Sequence, residues 1–214
     1  MAKVIAVVQL KGGAGRSTVA TNLAGELSKR GSVILVDADL PQGTAQSWFL
    51  LRQEAGRENG LTLSEAHNAE QLRATVTGAL GRVDYVVIDG PPRIAGLTRD
   101  AVVMADLCLI PLGASISETW ATDELEKTLK DAGREKAIDA RILWTRFRGW
   151  TRAAQDLSAA MAKDFDLLHI GTRLGYRVAY ADALSRGLTV CEWHDKAARD
   201  EFTQVVDEVL GLLG

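Results

Sequence analysis

The sequence feature that most constrains the fold is an alternation of short apolar runs with segments of helical spacing. The apolar runs are Val4–Val8, Val33–Val36, Tyr85–Ile88, Leu107–Ile110, Ile142–Trp144 and Leu167–Ile170. They are apolar at nearly every position, which is typical of strands buried on both faces of a parallel sheet. We therefore predict an α/β fold, a doubly wound and mostly parallel sheet with helices on both faces.

The segments between these runs carry helical periodicity. Ser17–Arg30 places Val19, Leu23 and Leu27 four residues apart, and Gly31 follows as glycine commonly follows the end of a helix. The other predicted helices are Ser117–Lys130, Thr151–Lys163 and Ala197–Leu213. No linker or repeat interrupts the pattern, so we predict one domain over residues 1–214.

Composition and charge narrow the classes of function. The chain has 25 Lys and Arg against 28 Asp and Glu, so nucleic-acid binding requires a local basic patch. Its two cysteines, Cys108 and Cys191, form no CxxC pair, which excludes a zinc ribbon and a disulfide framework. There is no signal-peptide pattern, and no apolar run reaches the ~18 residues that span a bilayer. We expect a cytoplasmic protein.

A glycine-rich loop lies between the first predicted strand and the first predicted helix. In this context glycines let successive backbone N–H groups point at phosphate oxygens, and the helix N-terminus adds positive potential. Ser17 stands where a hydroxyl would ligate Mg²⁺. The predicted phosphate-binding residues are Lys11, Gly12, Gly13, Ala14, Gly15, Arg16, Ser17 and Thr18.

This loop resembles KGGxGK[ST], the deviant Walker A loop of the ParA/MinD superfamily of ATPases. Asp37-Ala38-Asp39, followed by Pro41-Gln42-Gly43, resembles the DxDPQG switch I of that superfamily. Val86-Val87-Ile88-Asp89-Gly90-Pro91-Pro92 resembles its Walker B strand with the DxPP switch II. Leu109-Ile110-Pro111 and Tyr176–Glu192 resemble further segments, the latter common in short ParA proteins. The resemblance covers nearly the whole chain.

The resemblance implies a role for each matching residue. Lys11 is expected to reach across an ATP-sandwiched dimer to the phosphates of the partner, and Asp39 to position the attacking water. These two are the predicted catalytic residues. Ser17, Asp37 and Asp89 are the predicted magnesium ligands or supports of its water shell. The implied cofactors are ATP and Mg²⁺.

Two positions depart from the family pattern. Arg16 stands where the phosphate-bridging lysine belongs, and its planar, forked guanidinium is longer than an ammonium group. We therefore predict slow turnover, and a hydrolysis-impaired nucleotide switch stays open as an alternative. Leu40 separates Asp39 from Pro41 and lengthens switch I by one residue, which leaves the role of Gln42 open.

A basic segment near the C-terminal end indicates contact with DNA. Between residues 141 and 186 there are eight basic and four acidic side chains, with Phe147 and Trp150 among them. ParA-type proteins bind nonspecific DNA through basic residues in this portion, so the resemblance favours the same role here. The predicted DNA-binding residues are Arg148, Arg152, Arg173 and Arg177, the last two expected on one helix. Thr145 and Arg146, which follow a strand, are expected to border the adenine pocket.

Other members of the superfamily offer rival functions. A MinD-like membrane ATPase needs a basic amphipathic tail, whereas the tail from Arg199 carries four acidic residues and one Arg. A reductase iron protein needs loop cysteines, and Cys108 lies in a predicted strand. An ATP-dependent ligase needs a substrate pocket that the sequence does not indicate. We predict no membrane partner.

These observations predict a ParA-type ATPase that forms a homodimer with ATP. The dimer is expected to bind nonspecific DNA and to be nucleoid-associated. An adaptor or ParB-like partner would stimulate hydrolysis, so that a plasmid, a chromosome region or a protein compartment is segregated or positioned.

Overall fold

A computed structural model of the chain describes residues 2–40, 42–91, 95–113, 125–149, 152, 155, 156, 159 and 167–214. Most of the predicted helix Thr151–Lys163 and the first part of Ser117–Lys130 lie outside the described residues. The same holds for Pro41, Pro92 and Trp150 of the predicted motifs.

The described residues form one sheet of seven parallel strands in the order β3-β2-β4-β1-β5-β6-β7. The strands are β1 Lys3–Val7, β2 Val33–Asp37, β3 Leu61–Glu65, β4 Tyr85–Asp89, β5 Leu107–Gly113, β6 Ala140–Thr145 and β7 Leu168–His169. The predicted parallel α/β sheet is confirmed. Strand β3 was not predicted, because it is an edge strand in which Leu61 and Leu63 alternate with polar residues.

The helices are α1 Arg16–Leu27, α2 Thr44–Glu54, α3 Ala69–Ala79, α4 Ala95–Met104, α5 Val178–Leu184 and α6 Lys196–Leu213, and residues 125–132 are also helical. Helices α1 to α4 lie between successive strands, and α5 and α6 follow β7. The predicted helices that begin at Ser17 and Ala197 are confirmed. The first ends at Leu27, whose carbonyl accepts the N–H of Gly31 at 3.1 Å.

The expectation that Arg173 and Arg177 share a helix was wrong. Helix α5 begins at Val178, and the residues before it form an irregular loop. The backbone N–H groups of Gly171 and Gly175 donate to carboxylates of helix α6 instead of to helical carbonyls. These long-range bonds replace the local bonds of a helix.

Helices cover both faces of the sheet. Ile5 and Val7 of β1 pack with the apolar sides of α1, α2, α5 and α6, whereas Val4 and Ala6 pack with α3, α4 and residues 125–132. Successive strand residues point to opposite faces, so a uniformly apolar strand supplies both layers. This is the doubly wound arrangement.

A buried ion pair fixes helix α2 to the turn before α6. Arg52 is fully buried and donates to both carboxylate oxygens of Glu192, at 2.7 and 3.0 Å, and to the carbonyl of Gly187 at 3.1 Å. Gly187 has φ +65, and a Cβ there would lie 2.5 Å from the backbone nitrogen of Arg52. The close approach therefore requires glycine.

Glu192→Gln should destabilise the protein at pH 7 by about 3 kcal/mol, because it leaves the buried Arg52 charge without its counter-ion. Burial alone would raise the pKa of Glu192, but Arg52 and the N–H of Thr189 outweigh it and lower that pKa below 4.5. Because folding lowers the pKa of Glu192, this carboxylate stabilises the folded protein above pH 4.5. That stability is lost as the pH falls through the pKa that Glu192 has in the folded protein. The difference between variant and parent should therefore shrink towards pH 3.

Urea unfolding at several pH values measures this difference. The matched control is Glu126→Gln, which breaks the exposed i,i+4 pair with Lys130 and should change stability by less than about 0.5 kcal/mol. Equal losses for the two variants, or a loss from Glu192→Gln that does not depend on pH, would contradict the assignment.

Candidate functional site

The carboxyl ends of three adjacent strands bring the predicted site residues together. Strand β4 lies between β1 and β2, and the register places Asp89 beside Asp37 on one side and beside Val7 on the other. The loops that follow these strands therefore meet at one edge of the sheet. This is the edge at which open parallel sheets bind ligands.

The glycine-rich loop curls at the start of helix α1. Gly13 and Gly15 have φ of +79 and +94, a region that other residues enter only with strain. Gly15 is also the N-cap of α1 and offers no side chain to the first helical amides. These donors are therefore suited to an anion.

A cavity of about 390 Å³ opens over this loop. Its walls combine backbone of the loop with side chains of α1 and of the segment that follows β2. The lining residues are Gly12, Gly13, Gly15, Arg16, Ser17, Thr18, Asp39, Gln42 and Thr44. The predicted phosphate loop and switch I thus line the same space.

Arg16 is buried at the base of this cavity. Its Nη1 donates to the carbonyls of Gln9 and Lys11, the latter at 3.2 Å, and its Nη2 donates to Asp39 Oδ2 at 2.8 Å. The residue at the phosphate-bridging position therefore contacts the predicted water-positioning carboxylate. Sequence reasoning expected both residues in the site but not the contact between them.

Asp37 organises the segment that contains Asp39. Its carboxylate accepts the N–H of Asp39 at 2.9 Å and the N–H of Gln46, in the first turn of α2, at 3.0 Å. The carbonyl of Asp39 accepts the N–H groups of Gln42 and Gly43. Burial raises the pKa of Asp37, although the two N–H groups oppose this rise.

Asp89 is a buried carboxylate that accepts no hydrogen bond of ordinary geometry from the described residues. Burial raises its pKa to about 7; the nearby Ser17 hydroxyl and Arg16 oppose this rise, whereas Asp37 and Asp39 add to it. An orphaned carboxylate beside a hydroxyl is a donor set that suits Mg²⁺.

The described residues contain no cluster of three or more His, Cys, Asp or Glu side chains that would enclose a metal ion by themselves. Mg²⁺ commonly keeps several waters and binds one or two protein oxygens together with phosphate. The residues present therefore fit a magnesium ion that arrives with a nucleotide, with Ser17 and Asp89 as its nearest protein groups.

A second cavity of about 350 Å³ adjoins the loop and is mostly apolar. Thr145 and Arg146, which were predicted to border an adenine pocket, line it together with Val19, Leu174 and Tyr180. The Thr145 hydroxyl donates to the carbonyl of Ala14 at 3.0 Å, which joins this cavity to the phosphate loop. Its size and position suit the base of a nucleotide.

Two carboxylates of helix α6 bind the loop that precedes α5, part of which lines this second cavity. Glu208 accepts the N–H groups of Gly171 and Thr172, and Glu201 accepts the N–H of Gly175 at 3.0 Å. Glu201 also pairs with Arg177 at 2.6 Å. Sequence reasoning missed both glutamates; their spacing of seven, which places them on one helical face, was the available signal.

The four arginines predicted to bind DNA have different surroundings. Arg148 and Arg173 are exposed and stack over the rings of Tyr176 and Phe147, at 4.7 and 4.5 Å, and Arg152 is exposed. Arg177 is half-buried, lines the second cavity and is paired with Glu201.

None of the helices in the described part of the chain is long and apolar enough to cross a membrane.

Comparison with known proteins agrees with this geometry. The family model described as ATPase MipZ matches residues 3–121. The chain is 28% identical to maintenance of carboxysome distribution protein A of Halothiobacillus neapolitanus, over 96% of this chain and 95% of that protein. It is 29% identical to the chromosome-partitioning ATPase Soj of Thermus thermophilus, over 88% and 87% of the two chains.

The fold is also similar to a solved structure. The ATP complex of a Cyanothece McdA variant superposes with a TM-score of 0.80 at 20% identity, over 98% of this chain and 96% of that chain.

Asp89→Asn should raise the melting temperature in the absence of nucleotide. The pKa of Asp89 is raised from its ordinary value of 3.8 to about 7. The stability that this carboxyl group contributes is therefore fully present below pH 3.8 and is lost as the pH rises through about 7. Asparagine carries no charge and escapes that loss. The gain over the parent should therefore grow between about pH 4 and pH 7 and stay constant above.

Thermal unfolding at pH 5 and pH 8 tests this prediction. Asp84→Asn is the control, because the N–H and hydroxyl of Ser32 lower the pKa of Asp84 and its replacement should not raise the melting temperature. A gain from Asp89→Asn that is the same at both pH values would contradict the buried, unpartnered carboxylate.

Proposed function

Because the chain belongs to the ParA/MinD family of ATPases, we propose that it binds ATP with Mg²⁺ at the glycine-rich loop, dimerises around it and hydrolyses it slowly. The observation that carries this proposal is the cavity over the loop, which brings together the loop backbone, Arg16, Ser17 and Asp39. Asp89 lies beside Ser17 at the end of the neighbouring strand.

Each of these groups supports one part of phosphoryl transfer. The backbone N–H groups of residues 13–15 and the N-terminus of α1 bind phosphate oxygens, and Arg16 adds a guanidinium. Ser17 and Asp89 hold Mg²⁺, which when bound neutralises charge on the phosphates. Thr145 and Arg146 border the space for the base.

Asp39 positions the attacking water in this proposal. Its carboxylate lines the cavity, and its buried Oδ1 accepts no hydrogen bond from the described residues, so this atom becomes an acceptor for water once the carboxylate turns towards the cavity. Lys11 completes the site of the partner protomer and supplies positive charge where it develops during transfer, as an arginine finger does. The dimer and the active site are therefore formed together.

The proposed cargo is a plasmid, a chromosome region or a protein compartment that is positioned along DNA. The relatives are named for carboxysome distribution and for chromosome partitioning, and these names favour a positioning role here. An adaptor or ParB-like partner would recognise the cargo and stimulate hydrolysis. The exposed Arg148, Arg152 and Arg173 are the groups proposed to contact DNA phosphates.

Helix α6 argues against a MinD-like attachment to membranes. Its apolar residues Phe202, Val205, Val206 and Val209 are buried in the core, and Glu201 and Glu208 hold the adjacent loop. An interfacial helix must present an apolar face to lipid. The apolar face of α6 is therefore engaged within the fold.

A hydrolysis-impaired switch is the second candidate function. It is favoured by the contact of Arg16 with Asp39, which ties the water-positioning carboxylate to another group. Phosphate release measured with and without DNA separates the two candidates, because only a slow ATPase releases phosphate over many turnovers.

Lys11→Ala should prevent productive dimerisation. Light scattering should show monomer without nucleotide and dimer with ATP and Mg²⁺ for the parent chain, but monomer in both conditions for the variant. Steady-state phosphate release should fall at the same time. Lys29→Ala, which removes an exposed lysine paired with Glu26, is the control and should behave as the parent. A Lys11→Ala protein that dimerises and turns over normally excludes Lys11 from the site.

DNA binding should require ATP and should be sensitive to salt. If about three arginines per protomer contact phosphates, log affinity of the dimer should fall against log salt with a slope of about −5. Arg148→Glu combined with Arg152→Glu should weaken binding to random duplexes without preventing ATP-dependent dimerisation. Fluorescence anisotropy over a salt series measures both effects.

The control for this charge change is Arg57→Glu combined with Arg134→Glu, two exposed arginines outside the proposed surface. If the control pair weakens DNA binding as much as the test pair does, the surface is assigned to the wrong arginines. Binding that is independent of salt excludes phosphate contacts as its source.

A further inference from the structure

The pair of Arg16 and Asp39 joins two side chains that the proposed function uses for different tasks. Arg16 is to bind phosphate and Asp39 is to position water, yet Nη2 of one lies 2.8 Å from Oδ2 of the other. Both side chains are only 5% exposed. While the pair is intact, each of these atoms is engaged by the other.

The other terminal nitrogen of the guanidinium is engaged as well. Nη1 donates to the carbonyls of Gln9 and Lys11, so the two ends of the fork are held by the loop and by the segment after β2. A phosphate oxygen that binds Nη1 must replace one of these carbonyls, and one that binds Nη2 must share that atom with Asp39 or displace it. The Asp39 carboxylate carries the same sign of charge as phosphate and is its direct competitor.

The pair is also incompletely satisfied. Asp39 Oδ1 and Arg16 Nε are buried and have no hydrogen-bond partner among the described residues. A buried ion pair repays the loss of hydration only when its remaining donors and acceptors are satisfied. A multiply charged phosphate offers the fork more acceptors than one carboxylate oxygen does.

We propose that the Arg16–Asp39 pair is an internal latch that a nucleotide phosphate opens. The phosphate takes the guanidinium and thereby releases Asp39, so that the carboxylate becomes able to hold water only after phosphate is bound. This inference rests on the proposed function and adds a regulatory step to it. No covalent bond changes in this step.

The latch also connects the phosphate site to helix α2. The carbonyl of Asp39 accepts the N–H groups of Gln42 and Gly43, and Gly43 is the N-cap of α2. A movement of Asp39 therefore reaches the start of that helix through two backbone hydrogen bonds.

Competition for Arg16 lowers the apparent affinity for nucleotide, because only the open fraction of the protein binds. Asp39→Asn keeps the shape of the side chain but removes the charge that competes. It should tighten binding of mant-ATP with Mg²⁺ by about tenfold, the size expected for one charge-assisted hydrogen bond.

A double-mutant cycle separates the latch from the general repulsion between a carboxylate and a triphosphate. In an Arg16→Met background there is no guanidinium to compete for, so Asp39→Asn should change the dissociation constant by less than about twofold. Equal tightening in both backgrounds assigns the effect to repulsion and overturns the latch. An unchanged dissociation constant in the Arg16 background overturns it as well.

Thermal unfolding distinguishes a latch from a structural ion pair. Asp39→Asn should lower the melting temperature without nucleotide and should recover most of that loss with saturating ATP, because the bound phosphate then satisfies Arg16. A pair with a structural role alone would give the same loss in both conditions. If Arg16→Met does not fold, Arg16→Gln serves as the background, since its uncharged side chain offers no cation for Asp39 and phosphate to compete for.

Binding of mant-ATP by the parent protein shows whether a failure concerns this inference alone or the proposed function as well. If the parent binds no mant-ATP, the proposed function fails and the latch fails with it. If the parent binds and dimerises with ATP but the cycle shows no coupling, only the latch is wrong.

Discussion

The parallel pairing of β4 between β1 and β2 is the constraint on which the rest of the structure depends. Because parallel strands end at the same edge, this pairing places the phosphate loop, Asp37 and Asp89 side by side. The strands are buried on both faces by two apolar layers, so the edge is rigid. Asp37 and Asp89, which are distant in sequence, are thereby held next to a helix N-terminus.

Strands, phosphate loop and switch segments could be predicted because each has a local signature. Uniform apolar runs mark central strands, and the glycines of the loop lie between one such run and a helix. Edge strand β3 has a mixed pattern and gave no such signal. The contacts of Arg177 with Glu201, and of Gly171 with Glu208, join residues 24 and 37 positions apart and leave no trace in either segment alone.

Carboxylates of the acidic C-terminal tail also hold a neighbouring loop in place. The tail indicates repulsion from anionic lipid, but two of its carboxylates, Glu201 and Glu208, accept backbone N–H groups of the loop that lines the second cavity. The half-buried amides of Thr172 and Gly175 need acceptors, and these two carboxylates supply them. The acids are therefore part of the architecture of the cavity.

The candidate site concentrates buried charge that the fold alone does not compensate. Neither carboxylate oxygen of Asp89 accepts a hydrogen bond of ordinary geometry from the described residues, and in the pair of Arg16 and Asp39 the atoms Nε and Oδ1 have no partner among those residues. Buried charges without full partners cost stability, whereas a ligand that supplies those partners stabilises the folded protein. Proteins commonly retain locally destabilising groups where function requires them. The unsatisfied atoms therefore mark where a charged ligand with both cationic and anionic parts would be bound, and a magnesium–phosphate group has that character.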